Sequence, residues 1–362
     1  MLKENLKPNE ITEEIKQHLE KKYNIKIKKK LGGGAFGEVY HISTSNNISF
    51  ALKIYKPINI SPNENYSDAQ EQKIKDEIRF SLNLKSQNII LGLKSGENKI
   101  NNQKVFVLFM EKAKFVDLNL FIYNYINYNF LEIKNKTNEF PWLYNFSEET
   151  IKFFAYQIIK IFEFLDLNLL VHFDIKPGNL LLGDNFTIKL SDFSVTKQIL
   201  NEHKKSILQN GTYQFMPPEY YNKSKEVLTS NVRTIDFFAF GCILFSMIAR
   251  KDLITDIKDE EGKTIKANKI DVINFINEGK RVINNLNYSS GLKKLASDLI
   301  NVEPENRPTI KELVDNKWVN EDYDLIRKIK NINYNQNLKI FIELQKCTFC
   351  LKVNRKRKKY IF

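Results

Sequence analysis

The spacing of hydrophobic positions changes near residue 118 of this 362-residue chain. Before that point, short apolar runs separated by glycine and polar clusters predict strands. After it, apolar residues recur at intervals of three and four, as on one face of a helix. The pattern therefore predicts an α+β fold with a small β-rich lobe followed by a large, mainly helical lobe.

The first part of the chain predicts five strands and two helices. The strands are expected on both sides of a glycine turn within residues 25–40 and at residues 48–55, 89–95 and 105–111. The helices are expected at residues 10–22, as a polar leader, and at residues 68–84.

The second part predicts buried helices. They are expected near residues 151–165, 235–248 and 292–300, and Ser147 is placed to cap the first of them. The aromatic, Asn-rich segment 123–144 is interpreted as an insertion. The predicted organisation is a leader (1–24), a small lobe (25–111), a large lobe (112–322) and a basic tail (323–362).

The net charge of +13 is concentrated at the two ends of the chain. Residues 1–30 carry a net charge of +4 and residues 325–362 a net charge of +10, so the body between them is nearly neutral. A nucleic-acid groove within the fold is therefore disfavoured, and no specific nucleic acid is expected as a partner. The tail could still contact phosphate, acidic protein or a membrane surface.

Cysteine content and hydropathy predict a cytoplasmic or nuclear protein. Three cysteines, with Cys242 inside an apolar run, do not make a disulfide framework. The N-terminus lacks the apolar core of a signal peptide, and no run of about 18 apolar residues predicts a transmembrane segment.

The candidate chemistry centres on the sequence Val-His-Phe-Asp-Ile-Lys-Pro-Gly-Asn at residues 171–179. Asp174, Lys176 and Asn179 place a carboxylate, an ammonium and an amide in one loop, and Asp192 follows thirteen residues after Asn179. These groups suit phosphoryl transfer from ATP. The two segments resemble the catalytic loop and the magnesium loop of eukaryotic protein kinases.

A glycine-rich loop fits this resemblance. Gly32, Gly34 and Gly37 form G-x-G-x-x-G, with Val39 two residues further on. The same motif occurs in dinucleotide-binding oxidoreductases, where a helix follows the glycines. Here residues 38–40 continue as a predicted strand, which favours a hairpin whose backbone amides face a triphosphate.

Lys53 and Glu77 form the next pair of candidates. Lys53 lies in an apolar strand, where an ammonium needs an anionic partner, although a solvated edge lysine is the alternative. Glu77 begins a segment similar to the kinase helix that supplies this partner, with Glu71 and Asp76 as rivals. The resemblance implies that Lys53 holds the α- and β-phosphates.

The resemblance implies a role for each remaining site residue. Asp174 would be the general base, Lys176 would neutralise the γ-phosphate, and Asn179 and Asp192 would bind Mg²⁺. The nucleotide would contact Leu31, Gly32, Gly34, Gly37, Val39, Ala51, Lys53, Met110, Glu111, Ala113 and Asp117.

Further positions extend the resemblance over residues 25–320. Thr212 would hydrogen-bond near Asp174 and Lys176, which together with Lys176 is typical of serine/threonine kinases. Asp236 would support the catalytic loop, and Arg307 would pair with Glu219. The expected substrates are serine and threonine hydroxyls of proteins.

Three residues depart from the kinase pattern. Phe173 replaces an arginine that usually clamps an activation-segment phosphate, so activity should depend weakly on phosphate at Ser194, Thr196 or Ser206. Ser194 replaces a glycine, which limits positive φ. Ser81 replaces a larger apolar residue, so the Glu77 helix could be held loosely and wait for a regulatory partner.

Two alternatives remain beside an active serine/threonine kinase. The departures favour a pseudokinase scaffold that binds nucleotide or partners, and the glycine motif leaves a dinucleotide-dependent oxidoreductase as a distant third.

The basic tail has its own interpretations. Residues 355–359 could be a nuclear import signal, an anionic-surface contact or merely a solvated run. Cys347 and Cys350 lack a second pair for zinc, and their basic neighbours make acylation a further interpretation.

Overall fold

The structure, a computed structural model, describes ten segments of the chain: residues 10–60, 65–114, 117–124, 147–199, 205–207, 211–221, 226–228, 231–258, 261 and 263–321. They divide into two compact units, residues 10–114 with 192–194, and residues 117–191 with 195–321. Residues 125–144 of the predicted insertion and the basic tail with Cys347 and Cys350 lie outside the described residues.

The first unit contains an antiparallel sheet of six strands. The strands are β1 (Ile25–Gly33), β2 (Gly37–Thr44), β3 (Ser49–Tyr55), β4 (Ile58–Asn59), β5 (Gly92–Ile100) and β6 (Gln103–Met110), in the order β1-β2-β3-β6-β4 with β5 also paired to β6. Its helices are α1 (Glu13–Tyr23) and α2 (Asn65–Asn83). The five predicted strands are present, and the short β4 is an addition.

The two helices of this unit cover opposite faces of the sheet. Successive side chains of β3 point to opposite faces. Leu52 and Ile54 share an apolar cluster with Leu19 of α1, whereas Tyr55 packs in a second cluster with Ile74 of α2. With both faces covered, β3 and β6 are apolar at nearly every position, as expected of doubly buried strands.

Helix α1 is the predicted polar leader helix, and it packs into the core of the first unit. Thr12 caps its start by accepting a hydrogen bond from the Ile15 amide at 3.4 Å, and Asn24 ends it in the left-handed conformation with φ of 51°. Ile15 and Leu19 are buried. The few apolar residues of α1 all lie on one face of the helix.

Asn98 joins α1 to strand β5. This buried side chain accepts hydrogen bonds from Lys22 Nζ at 2.6 Å and from the Tyr23 hydroxyl at 3.2 Å. Its own amide nitrogen donates to the Val105 carbonyl at 3.1 Å. Loss of α1 would leave the Asn98 oxygen without these donors, at a cost of about 1–3 kcal/mol.

The second unit is mainly helical. Its helices are α3 (Leu118–Asn124), α4 (Glu148–Leu167), α5 (Thr234–Ala249), α6 (Lys269–Asn285), α7 (Ser290–Leu299), α8 (Ile310–Val314) and α9 (Lys317–Asn320). Four short antiparallel pairs join β7 (Leu170–Val171) to β10 (Lys197–Gln198), β8 (Leu180–Leu182) to β9 (Ile188–Leu190), β11 (Lys205–Ile207) to β12 (Glu226–Leu228), and β13 (Ile257–Lys258) to β14 (Thr264–Ile265).

Helices α4 and α5 form the centre of the second unit. Ser147 caps α4 as predicted, with its hydroxyl oxygen 3.4 Å from the Thr150 amide. Every residue of α5 from Ile235 to Ile248 is buried, which explains why its sequence is apolar on all sides. Phe162 of α4 makes an edge-on ring contact with Phe237 of α5, with centroids 5.1 Å apart.

Strand β5 lies further along the chain than predicted. The prediction of residues 89–95 followed the apolar residues Ile89 and Ile90, but the strand begins at Gly92 and continues to Ile100. Its pairing with β6 extends through polar residues such as Lys99, so cross-strand pairing outweighs side-chain hydropathy.

No helix among the described segments is long and apolar enough to cross a membrane.

Helix α2 approaches strand β5 closely at Ser81, the position where the sequence suggests a loosely held helix. A methyl group added at Gly92 would lie 2.2 Å from the Ser81 carbonyl oxygen. Ser81 is itself buried. Two small residues therefore bring the backbones together where the kinase pattern has a larger side chain.

We predict that Gly92→Ala lowers the free energy of unfolding of the first unit by about 1–3 kcal/mol, because the methyl group would displace backbone atoms of α2. Chemical denaturation monitored by circular dichroism measures the change. The matched control is Gly183→Ala, since Gly183 has φ of −84° and an added methyl group there meets its neighbours at 3.4 Å or more. Equal stability of the two variants would contradict the close approach.

Candidate active site

Lys53 of β3 is held by two carboxylates. Its ammonium lies 2.5 Å from Glu77 Oε1 on α2 and 3.1 Å from Asp192 Oδ1. Lys53 and Glu77 are only 8% and 3% exposed, so this is a buried ion pair and not a solvated edge lysine. Of the rival acids, Glu71 instead binds Lys104 at 2.7 Å and Lys75 at 2.6 Å.

The partners of Lys53 keep it charged. Burial by itself would lower the pKa of Lys53, but the nearby carboxylates of Glu77 and Asp192 outweigh it and raise the pKa above its usual value. Tyr55, two residues further along the same face of β3, has its ring centroid 5.1 Å from the ammonium. Burial beside Glu77 and Asp192 also raises the pKa of Tyr55 well above its usual value.

The sheet register groups four predicted nucleotide contacts. Val39 pairs with Lys53, and Ala51 pairs with Met110, in neighbouring antiparallel strands. Directly opposed residues point to the same face of a sheet, and Ala51 and Lys53 are two residues apart, so all four share one face. That face is opposite to the one covered by α1. Leu31, at the end of the glycine hairpin, is 43% exposed.

The glycine motif lies in a β-hairpin. Gly32 pairs with Val39 across β1 and β2, and the Gly34 amide donates to the Gly37 carbonyl at 2.9 Å. A methyl group at Gly37 would lie 2.4 Å from the Ile54 carbonyl oxygen, whereas one at Gly32 or Gly34 would meet nothing within 4 Å. Because a strand and not a helix follows the glycines, the dinucleotide-binding arrangement is excluded here.

The segment after β6 carries the remaining predicted nucleotide contacts. Glu111 Oε1 accepts a hydrogen bond from the Leu91 amide at 2.8 Å, and the Ala113 carbonyl lies 3.3 Å from Lys112 Nζ. In the second unit, Asp117 accepts from the Leu120 amide at 2.9 Å and so begins α3. The predicted nucleotide contact of Asp117 would therefore have to share this capping carboxylate.

The strained position of the magnesium-loop segment is Asp192, which has a positive φ of 65°. Ser194, which stands where kinases have glycine, is not among the positive-φ residues of the described segments. The serine therefore carries no backbone strain in this conformation.

Asp174 lies at the centre of a hydrogen-bond network in the second unit. Its Oδ1 accepts from the Thr212 amide at 2.8 Å and from the Thr212 hydroxyl at 2.7 Å, and its Oδ2 lies 2.7 Å from Lys176 Nζ. Lys176 also donates to the Thr212 hydroxyl at 2.6 Å. The carboxylate and the ammonium are thus both fixed in position by one threonine.

Asn179 is oriented by the same carboxylate. Its amide nitrogen donates to the Asp174 carbonyl at 2.8 Å and to Asp174 Oδ2 at 3.0 Å. Since the nitrogen is used in this way, the carboxamide oxygen is the atom that Asn179 can offer to a cation. The amide oxygen of Asn179 in the second unit, and separately the carboxylate of Asp192 in the first, are each a donor of the kind that suits a hard cation such as Mg²⁺.

Asp236 of α5 supports the catalytic loop from beneath. Its two carboxylate oxygens accept hydrogen bonds from the His172 amide at 2.7 Å and the Phe173 amide at 2.9 Å. Burial, against these two hydrogen bonds, raises the pKa of Asp236 to about 7. Phe173, held in this way, has a positive φ of 64°, which is unusual for a bulky side chain and marks a constrained loop.

Phe173 packs into an apolar cluster in place of the kinase arginine. The cluster contains Val171, Phe173, Ile199, Tyr220, Val232 and Ile235. Among the three candidate phosphorylation positions, Thr196 is only 8% exposed, and its hydroxyl lies 3.5 Å from the His172 carbonyl. Apolar packing therefore anchors this segment where other kinases use a charged clamp.

The predicted pair of Arg307 and Glu219 is present in the second unit. Two guanidinium nitrogens of Arg307 lie 2.6 Å and 2.7 Å from the two carboxylate oxygens of Glu219, and its side chain is 0% exposed. Further bonds reach the Asn301 carbonyl at 2.9 Å and the Val302 carbonyl at 3.2 Å. This bidentate geometry is specific to arginine.

Sequence reasoning missed two residues of the site. Tyr55 has no role in the sequence-based prediction, although its spacing of two from Lys53 in a strand places both side chains on one face. His172 was not assigned a role, but its Nε2 lies 3.2 Å from the Ser191 carbonyl and its Nδ1 is 3.3 Å from the Asp174 amide. No sequence signal reveals those backbone partners.

Two sets of features define the protein kinase class. The β-rich unit has a buried lysine–glutamate pair and a glycine hairpin, and the helical unit has a fixed aspartate, lysine and asparagine. The family pattern described as "Protein kinase domain" matches residues 25–319, and the chain belongs to this family. The predicted family is thereby confirmed.

The chain is similar to several curated kinases. It is 26% identical over 314 residues to "Probable serine/threonine-protein kinase nek3" of Dictyostelium discoideum, covering 85% of this chain and 24% of that protein. It is 28% identical over 287 residues to "Probable serine/threonine-protein kinase nek2" of the same organism, covering 78% and 60%. For "G2-specific protein kinase fin1" of Schizosaccharomyces pombe the identity is 27% over 240 residues, covering 61% and 30%. The chain thus spans less than two thirds of the length of each of these relatives.

We predict that Arg307→Ala lowers the free energy of unfolding of the second unit by about 3–5 kcal/mol, because it leaves the Glu219 carboxylate buried without its partner. Chemical denaturation measures the change. Arg281→Ala is the matched control, since Arg281 is exposed and lies 3.7 Å from Glu278, and it should change stability by less than about 0.5 kcal/mol. Similar losses in both variants would argue against a structural role for the buried pair.

Proposed function

We propose that this protein is a Mg²⁺- and ATP-dependent serine/threonine protein kinase that transfers the γ-phosphate of ATP to serine and threonine hydroxyls of proteins. The observation that carries the proposal is the fixed carboxylate of Asp174, bonded on one oxygen to Thr212 and on the other to Lys176 and Asn179. The two similar Dictyostelium discoideum proteins, which are described as serine/threonine-protein kinases, support the serine/threonine class.

Asp174 is suited to accept, or orient, the proton of the attacking hydroxyl. Positioned general bases contribute roughly 10²- to 10⁴-fold to a rate. The bonds from Thr212 fix the carboxylate before a substrate arrives, so little reorganisation is needed during the reaction. Lys176, 2.7 Å from the same carboxylate, is suited to neutralise the γ-phosphate as it moves.

Lys53 is suited to hold the α- and β-phosphates. Its ammonium stays protonated because Glu77 and Asp192 raise its pKa, so its positive charge persists at neutral pH. An added methyl group at Gly32 or Gly34 would meet nothing within 4 Å, so the backbone of the glycine hairpin is open to phosphate at these two positions. The adenine end of the nucleotide would meet the apolar surface of Val39, Ala51 and Met110.

Asn179 and Asp192 are the residues that would bind magnesium. When bound, Mg²⁺ neutralises charge on the β- and γ-phosphates. The ammonium of Lys53 lies 3.1 Å from Asp192 Oδ1 and helps to orient that carboxylate.

A pseudokinase scaffold is the second candidate function. It is favoured by Phe173, Ser194 and Ser81, the three departures from the kinase pattern. None of the three is a reacting group, and Lys53, Glu77, Asp174, Asn179 and Asp192 are all retained. The active enzyme is therefore the better-supported proposal.

The location and partners of the protein also belong to this proposal. A cytoplasmic or nuclear location is supported by the absence of a disulfide framework in the sequence, and the basic run at residues 355–359 is suited to import machinery or an anionic surface. The proposal also includes a regulatory partner that binds the surface of α2, the helix that carries Glu77.

We predict that Asp174→Asn lowers kcat by roughly 10²- to 10⁴-fold, because the amide cannot accept the hydroxyl proton. Transfer of labelled γ-phosphate from Mg·ATP to a mixture of proteins measures the loss. Asp298→Asn is the control, since Asp298 lies on the surface in an i,i+4 pair with Lys294 and should leave the rate unchanged. A folded wild-type protein that binds Mg·ATP but transfers no label would favour the scaffold.

We also predict that phosphatase treatment leaves most of the activity intact. Val195 and Ile199 pack in the apolar cluster around Phe173, and Thr196 is buried, so these residues need no phosphate to hold them in place. The measurement compares protein treated with active and with heat-inactivated phosphatase, with mass spectrometry to verify removal of phosphate. Abolished activity after complete removal would show that a phosphate is required despite the missing arginine.

A further inference from the structure

Helix α1 lies outside the region matched by the kinase family and yet inside the core of the first unit. The family match begins at residue 25, whereas α1 covers Glu13–Tyr23. Ile15 and Leu19 are 2% and 0% exposed, so α1 is packed as closely as the strands themselves. The chain therefore adds a helix to the face of the sheet that carries no nucleotide contacts.

The residues under α1 are the immediate neighbours of Lys53. Leu52 and Ile54 flank Lys53 in β3, and both are fully buried in the cluster that contains Leu19. In a strand, neighbouring side chains share one backbone but point to opposite faces. Packing that fixes Leu52 and Ile54 on one face of β3 therefore also fixes the backbone from which Lys53 projects on the other face.

Tyr23, the last residue of α1, extends this contact to β6. Its ring meets Phe109 edge-on, with centroids 5.1 Å apart, and Phe109 pairs directly with Leu52 of β3. The Tyr23 hydroxyl bonds Asn98 in β5. One side chain of α1 thus contacts β5 and β6, and through Phe109 the strand that carries Lys53.

Gly96 of β5 is shaped to receive Tyr23. A methyl group added at Gly96 would lie 2.0 Å from the Tyr23 hydroxyl and 3.0 Å from the adjacent ring carbon. The hydroxyl cannot simply turn away, because it lies at the end of a rigid ring packed on Phe109. Glycine at position 96 is therefore required by the docked position of α1.

Polar bonds fix the position of α1 along the sheet. Glu20 Oε1 accepts from the Ile27 amide at 2.6 Å, and Glu14 Oε2 accepts from Asn101 at 2.7 Å. Lys22 reaches both Asn98 and the Glu97 carbonyl. These bonds reach β1, β5 and the turn after β5, so α1 is docked in one register and not merely laid on an apolar surface.

We propose that α1 is a working part of the catalytic unit, in which Leu19 and Tyr23 are positioning residues that hold β3, and through it Lys53, from the face opposite the nucleotide. This inference rests on the proposed kinase function, in which Lys53 binds the phosphates. A helix that only adds stability would change the amount of folded protein, whereas a positioning helix changes the affinity of the folded protein for ATP.

The test compares the full-length wild type with Gly96→Ala, Tyr23→Phe and the double variant. Gly96→Ala should raise the KM for ATP by about three- to tenfold, because the methyl group forces Tyr23 from its place. It should also speed amide hydrogen exchange in residues 49–55. Tyr23→Phe removes the clashing hydroxyl, so the double variant should return both measurements most of the way to the wild type.

A second pair of variants covers the case in which Gly96→Ala does not fold. Lys22→Ala removes one of the two donors to the Asn98 oxygen without placing any new atom in the core, and it should raise the KM for ATP by roughly twofold to fivefold. Lys21→Ala, an exposed lysine beside it on α1, is the matched control and should match the wild type.

The outcomes separate this inference from the proposed function. An unchanged KM and unchanged exchange in Gly96→Ala, a fall in kcat at constant KM, or no recovery in the double variant would each overturn the positioning role. If the wild type transfers no phosphate, the proposed function fails, and hydrogen exchange in residues 49–55 alone decides whether α1 holds β3. Faster exchange that Tyr23→Phe reverses would support the coupling, and unchanged exchange would overturn it.

Discussion

The buried ion pair between Lys53 and Glu77 is the interaction on which the first unit depends. Two charges removed from water cost several kcal/mol each unless each one is met by an opposite charge at close range. The separation of 2.5 Å meets this requirement, and it can persist only while β3 and α2 keep their relative position. Two contacts hold α2 in place. One is the apolar cluster that contains Ile74, Ile78 and Tyr55, and the other is the close approach of Ser81 to Gly92.

The second unit follows the same rule with different partners. Three carboxylates have little contact with water, and each accepts hydrogen bonds. Asp174 is bonded by Thr212 and Lys176, Asp236 by two backbone amides, and Glu219 by Arg307. A buried polar network stabilises one geometry only when all its members are satisfied. The geometry of the catalytic loop is therefore fixed by partners as distant in sequence as Thr212 and Asp236.

The departures from the kinase pattern are accommodated by packing and not by new charges. Phe173 joins an apolar cluster where an arginine would need an anion, and Ser81 allows two backbones to approach where a larger side chain would fill space. Helix α1 is a third instance, since it covers a sheet face that Leu52, Ile54 and Phe109 make apolar. None of the three contacts needs a phosphate, although α1 also makes polar bonds through Glu14, Glu20 and Lys22.

The sequence by itself determined the main element types and the kinase family, and it predicted the candidate reacting groups. Periodicity and glycine placement are local, and motif spacing is preserved when a chain folds, so the resemblance to kinase motifs is enough to single out Lys53, Asp174, Asn179 and Asp192 as candidates. Only the tertiary structure decided which acid pairs with Lys53, that His172 contacts the Ser191 carbonyl and the Asp174 amide, and that the polar leader helix belongs to the core. Those facts depend on contacts between residues far apart in sequence. The apolar character of β3 and β6 indicates that both faces of the sheet are buried, but it does not identify the segment that covers the second face.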